Sequence, residues 1–192
     1  MLLETLSREP VSLVAWSWGA LIAYAHIRSY GTARLRAFVS IDETPTPLAL
    51  PGIQWHRGSI AQWRAFARDL SRDRTRATSA FIKSMFNDPS AHAETVVRLA
   101  ASSEAADLDA ALVMLLEALI EDFTLEASRV AEEVPTLHFL DVRWSADARA
   151  WLRAHCPHAA IVDCKGHVPF IEEPRLFGRD LAAFLDATSP AR

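Results

Sequence analysis

Short apolar runs alternate along this chain with longer stretches whose apolar residues recur at helical spacing. Val11–Trp16 is almost wholly apolar, the pattern of a strand buried on both faces of a parallel sheet. Ser17-Trp18-Gly19 then leads into 20–30, where Leu21, Tyr24, Ala25 and Ile27 predict a helix and Gly31 its C-cap. A second β-branched run, 37–41, ends on Asp42, and the proline-rich stretch 44–51 must be loop. Ser59 and Gln62 form a capping-box pair that opens a helix to about residue 72. Further helices are predicted over 75–87, 90–103 and 105–121. The last carries Leu108, Leu112, Leu115 and Leu119 on one face, broadened by Val113, Leu116 and Ile120, so much of it is expected to be buried. Pro135 opens a third strand, 136–140. Ser145 can cap a helix to about His155, and 159–162 is a fourth strand running into Asp163-Cys164-Lys165-Gly166-His167. Pro174 suits the first turn of a final helix with Phe177, Leu181, Phe184 and Leu185 inward. Residues 1–8 read as the end of an amphipathic helix broken at Glu9-Pro10, as if a segment preceded it.

Strands separated by helices predict an α/β fold with about four mostly parallel strands. The helical block reads as an insertion, dividing the chain into a core of 1–45 with 132–192 and a helical cap of 46–131. The 192 residues suffice for one domain, and 51% apolar content supports a real core. Twenty Lys and Arg against 24 Asp and Glu give a net charge of −4, a poor balance for a nucleic-acid binder. No apolar run reaches the roughly 18 residues of a membrane span. No basic, then apolar, leader is present. Two cysteines, Cys156 and Cys164, fit reduced thiols in the cytoplasm better than a disulfide framework.

Ser17, Asp42 and His167 fall at carboxyl ends of predicted strands, where α/β sheets place their sites. Ala15-Trp16-Ser17-Trp18-Gly19 puts a serine on a sharp strand-to-helix turn with small residues two before and two after. Such residues let strand and helix backbones approach while the hydroxyl stays exposed. The Trp18 backbone N–H then lies at a helix N-terminus, suited to holding an oxyanion. The bland alternative is a serine that merely caps a helix. His167 stands on a loop before the final helix, in Gly166-His167-Val168-Pro169-Phe170, followed by Glu172-Glu173-Pro174.

These segments resemble the nucleophile elbow (G-x-S-x-G, here with Ala15 first) and the histidine loop of the α/β-hydrolase superfamily. The resemblance covers roughly residues 10–185 and matches the family's carboxyl-terminal portion from the elbow onward. It implies a partial α/β-hydrolase fold in which Ser17 is nucleophile and His167 the general base and then acid, with Gly166 letting the imidazole swing. In much of the family the acid follows the strand that here ends at Leu140, but Trp144 stands near its expected position. Some members take it from the preceding strand, and Ser40-Ile41-Asp42-Glu43-Thr44-Pro45 is similar to their D-x-[ST]-P loop. Asp42 is therefore placed first, Asp141 second and Glu43 third, against the alternative that Asp42 only caps its loop.

The family's early strands and the loop giving a second oxyanion donor have no counterpart here. Either an upstream segment or another copy completes the sheet, or the chain's activity is weakened, about 100- to 1000-fold for one lost donor. Trp55, His56 and Trp63 are candidate substrate contacts with Trp16, in a pocket for an acyl or aromatic small molecule, although ordinary packing explains such aromatics too. His155-Cys156-x-His158 points its side chains apart at a helix end and makes a poor metal site. The expectation is a serine hydrolase for carboxylic esters without metal or organic cofactor. The same fold also admits cofactor-free oxygenases, such as quinolone dioxygenases, perhydrolases and non-catalytic binding modules.

Overall fold

A computed structural model describes residues 9–189, so the helix end expected at 1–8 lies outside the described residues. Four strands, β1 (Val11–Trp16), β2 (Leu35–Ile41), β3 (Thr136–Asp141) and β4 (Ala160–Cys164), form one parallel sheet in the order β1-β2-β3-β4. Helix α1 (Trp18–Tyr30) joins β1 to β2. Five helices lie between β2 and β3: α2 (Ile60–Arg72), α3 (Arg74–Met85), α4 (Ala93–Glu104), α5 (Leu108–Leu119) and α6 (Thr124–Glu133). Helix α7 (Ser145–His155) joins β3 to β4, and the short α8 (Pro169–Glu172) and long α9 (Pro174–Ala187) follow.

Alternation along the central strands sends side chains to two cores. Phe38 and Leu140 pack with Tyr24 and Ile27 of α1, Val130 of α6 and Leu152 of α7. Val39, Ile41, Leu137 and Phe139 face Phe177, Leu181 and Phe184 of α9. These three, like Leu185, are only half-buried, so the inward face predicted for this helix is present but partly uncovered. β1 has the predicted bounds but not the predicted burial. Only Ala15 is buried and Val14 is 41% exposed, because β1 is an edge strand among the described residues.

The local signals fare unevenly. The capping box at α2 is formed, with Gln62 N–H donating to Ser59 Oγ (3.3 Å) and Ser59 N–H to Gln62 Oε1 (2.7 Å). Gly31 caps α1 at φ 71°. In α1 the buried stripe is Ala20, Leu21, Ala23, Tyr24 and Ile27, and Ala25 faces out. Ser145 does not cap α7. It is the first residue of that helix, and its hydroxyl donates to Asp163 Oδ1 (2.6 Å), tying α7 to β4. On α5 only Leu115 and Leu119 are buried, while Val113, Leu116 and Ile120 are exposed, since that helix packs along a narrow stripe. Helix α6 has no counterpart in the sequence reading. Its apolar stripe, Ala127, Val130 and Ala131, is of small or β-branched residues, and it packs on α1.

The central strand β3 carries an imidazole into the core. His138 is in register with Ser40 and fully buried, and burial pushes its pKa down to about 4. An unfolded chain would protonate near the ordinary value of about 6.5, so it binds the proton first on acidification. His138 therefore imposes no penalty above about pH 6.5, and stability is lost as pH falls from there toward 4, on the order of 3 kcal/mol over the window. Urea unfolding of wild type and His138→Leu between pH 7 and pH 4.5 should show a steeper loss in wild type. Equal pH dependence in both proteins would contradict this.

Candidate active site

The turn between β1 and α1 is strained at one residue. Ser17 has φ 51° and ψ −132°, a conformation that L side chains rarely adopt and that costs on the order of 1–3 kcal/mol. It is held by two backbone bonds, Ser17 N–H to Ile41 O (3.0 Å) and Ala20 N–H to Ser17 O (2.7 Å). Ser17 occupies the N-cap position, yet its side chain makes no capping bond. Its hydroxyl is thus free of the bland role, and the Trp18 N–H at the first helical position has no intrahelical acceptor. Ala15 and Ala20 are buried, as a close strand-helix approach demands. Gly19 does not serve that purpose: a Cβ there would meet nothing within 4 Å, and the residue instead lines a cavity that a side chain would fill.

Asp42 ends β2, also at positive φ (46°), with its N–H donating to Phe139 O (2.8 Å). Its carboxylate is 1% exposed. Oδ2 lies 2.6 Å from His167 Nδ1 and 3.3 Å from Arg57 Nη2, and Oδ1 accepts from the Asp141 N–H (3.1 Å). Arg57 Nη2 also donates to the Asp42 carbonyl, and Arg57 Nε donates to Glu43 Oε1 (2.8 Å). Burial by itself would raise the Asp42 pKa. The Arg57 charge, the His167 bond and the Asp141 N–H together outweigh it and hold the carboxyl below its ordinary value.

His167 sits between β4 and α8 and is fixed from several sides. Its N–H donates to Met85 O (2.8 Å), its carbonyl accepts from Trp16 Nε1 (2.7 Å), and the two rings lie 5.4 Å apart. Gly166 answers a demand of conformation and space here. It has φ 69°, and a Cβ would run into the Glu172 carboxylate. Glu172 in turn accepts from the Asn87 and Asp88 N–H groups (3.0 and 3.1 Å), clamping the histidine loop to the end of α3.

The other candidate acids are engaged elsewhere. Asp141 accepts from Arg143 Nε (2.7 Å) and the Arg143 N–H (3.0 Å). Glu43 accepts from the Thr44 N–H (2.9 Å), and the Ser17 hydroxyl makes a long contact to it (3.5 Å). No hydrogen bond joins Ser17 to His167 among the described residues.

Ser17, Trp18, Asp42, Glu43, Trp63 and His167 line one cavity of about 390 Å³. A second, more apolar cavity of about 450 Å³ shares Ser17, Trp18, Phe66, Phe81 and Met85 with it and includes Trp16. Trp16, Trp18 and Trp63 thus each line at least one of these cavities beside Ser17. Trp55 does not: it is 2% exposed and packs edge-on against Trp151 (5.7 Å) in the core. His56 lines neither cavity. Among the described residues, no group of three or more His, Cys, Asp or Glu side chains converges as a metal site.

A sequence profile described as "Alpha/beta hydrolase family" matches residues 2–179. The chain belongs to the alpha/beta hydrolase family. No curated protein matches it in sequence. Its fold is similar to an esterase from Exiguobacterium antarcticum (TM-score 0.85, 16% identity) and a bromoperoxidase from Bacillus anthracis (TM-score 0.84, 20% identity), with 96% of this chain and 70% of each of those covered. It is also similar to an enol-lactonase from Burkholderia xenovorans LB400 (TM-score 0.78, 17% identity; 96% and 69% covered). At these identities the likeness concerns the fold.

Within this hydrolase fold, sequence reasoning missed Arg57, and it quoted Glu172 in the histidine-loop segment without its contact to Asn87 and Asp88. Two adjacent buried acids, Asp42 and Glu43, were the available signal, because buried carboxylates demand a cation. Replacing Arg57 by Gln leaves both without one and should cost about 3–5 kcal/mol. The stability supplied by the depressed Asp42 pKa is full above about pH 4 and lost as pH falls through the lower folded value. In Arg57→Gln the folded-state pKa of Asp42 rises toward the unfolded one, so that acid loss should shrink and the deficit relative to wild type should narrow as pH falls. Urea titrations from pH 7 to pH 3 check both effects, and unchanged midpoints throughout would refute them.

Proposed function

We propose that this member of the family is a serine hydrolase acting on carboxylic esters, with Ser17 as nucleophile, His167 as general base and acid, and Asp42 as the group that orients the imidazole. The observation that carries the reading is the 2.6 Å Asp42–His167 contact in the same cavity as a strained, uncapped serine. The Nδ1 contact fixes the tautomer, so Nε2 is the nitrogen available to the serine proton. In this reading the Ser17 hydroxyl turns from Glu43 to give its proton to that nitrogen. The oxygen then attacks the ester carbonyl, and the oxyanion receives the Trp18 N–H at the start of α1. His167 delivers the proton to the departing alcohol, and water repeats the sequence to free the acid.

In the same proposal the segment 46–131 serves as a cap over the site, and Trp16 and Trp63 contact the substrate. Two free, buried cysteines support a reducing, cytoplasmic setting. The outer edge of β1 is where a further strand, from this protein or a second copy, would pair.

A second reading has one observation in its favour. Ser17 contacts Glu43 rather than His167, which leaves the imidazole free to take a proton from a substrate directly, as a cofactor-free oxygenase would use it. Labelling with a fluorophosphonate probe separates the two. The proposal expects labelling of wild type, none of Ser17→Ala, and a fall in p-nitrophenyl butyrate turnover on the order of 10⁴-fold for Asp42→Asn. Equal labelling of wild type and Ser17→Ala would overturn it. Activity that survives Ser17→Ala but not His167→Ala would favour the second reading.

A further inference from the structure

The apolar cavity is walled along one side by a single helix face. Arg74, Thr78, Phe81, Ile82 and Met85 of α3 all line it, at spacings of four, three, one and three residues. Met85 is the residue whose carbonyl holds the His167 N–H. Arg74 is eleven residues away at the other end of the helix, about 16 Å at 1.5 Å per residue. The cavity therefore runs from the serine turn, between largely apolar walls, toward a guanidinium.

That guanidinium is only partly used. Nη2 donates to Ser103 O (3.1 Å) and Ala106 O (2.5 Å), a favourable contact for a cation at the end of α4. Nε and Nη1 have no acceptor, and no carboxylate pairs with Arg74, among the described residues. The acids adjoining Arg74 and its two carbonyl acceptors in sequence are committed to other groups. Asp73 accepts from the Arg76 N–H and pairs with its side chain, Glu104 accepts from Thr75 Oγ1, and Asp107 accepts from the Ala110 N–H. A cation with free donors beside apolar walls is a site for an anionic group brought in by the ligand.

We propose that this cavity takes an acyl chain that ends in a carboxylate, and that Arg74 binds that carboxylate, so that the preferred substrates are monoesters of α,ω-dicarboxylic acids. The inference rests on the reading of Ser17 as the nucleophile. The ester carbonyl lies at Ser17, the methylene chain runs beside α3, and the distal carboxylate meets the free Nε and Nη1 donors.

Two measurements on the full chain test it. In turnover, the kcat/KM for the mono-p-nitrophenyl ester of decanedioic acid should exceed that for p-nitrophenyl decanoate by at least about tenfold. The ratio should collapse toward one in Arg74→Gln, mainly through KM, and recover in part in Arg74→Lys, with thermal melts confirming that both variants fold. In binding, Ser17→Ala titrated calorimetrically with monomethyl decanedioate should bind it at least about tenfold more tightly than methyl decanoate, and the added Arg74→Gln change should remove the difference. Equal binding of the two ligands, or a preference that survives Arg74→Gln, overturns the proposal. A binding preference that depends on Arg74 in a chain that neither turns over esters nor reacts with the fluorophosphonate upholds this site and overturns the hydrolase reading alone.

Discussion

The Asp42 carboxylate is almost sealed from water, and an isolated charge there would be expelled or neutralised. Three groups keep it ionised: the Arg57 guanidinium, the Asp141 N–H and the His167 ring. Each comes from a different part of the chain, so the charge acts as a meeting point for the loop after β2, the end of β3 and the loop after β4. The imidazole receives its orientation from this arrangement, and the proposed chemistry depends on that orientation. Glu43 shares Arg57 with Asp42, and one cation thus serves two neighbouring acids, one beside the imidazole and the other beside the Ser17 hydroxyl.

The histidine loop is coupled to the wall of the apolar cavity as well as to the acid. Met85 closes α3, lines both cavities and accepts the His167 N–H. Glu172 holds the chain just beyond it through Asn87 and Asp88. A ligand that presses on α3 therefore presses on the segment that positions the imidazole. For the proposed substrate this is a physical route by which acyl-chain contacts up to about 16 Å along α3 (eleven residues at the helical rise) would influence the ester carbonyl.

Much of the architecture is legible in the sequence because it is set by local signals. Apolar runs of strand length, the capping box at Ser59, Gly31 and the small residues around Ser17 act over a few residues each, and the structure places the elements where they point. The order of Ser17, Asp42 and His167 at strand ends was readable for the same reason. What the sequence conceals is partnership across space. The pattern of α5 is apolar on a broad face, but only packing decides that just Leu115 and Leu119 are covered. β1 looks like a central strand and is an edge among the described residues. Trp55 and Trp63 read alike in one aromatic cluster, yet one packs on Trp151 and the other lines the site. Arg57 carried no motif and could have been sought only by asking what neutralises Asp42 and Glu43.

The choice of acid is the point on which the account turns, and proton NMR addresses it directly. A short Nδ1–H bond to a buried carboxylate gives a resonance far downfield of ordinary imidazole protons. The account predicts such a signal in the wild-type chain, absent in Asp42→Asn and in His167→Ala, and retained in Asp141→Asn. A signal that persists in Asp42→Asn but vanishes in Asp141→Asn would contradict it.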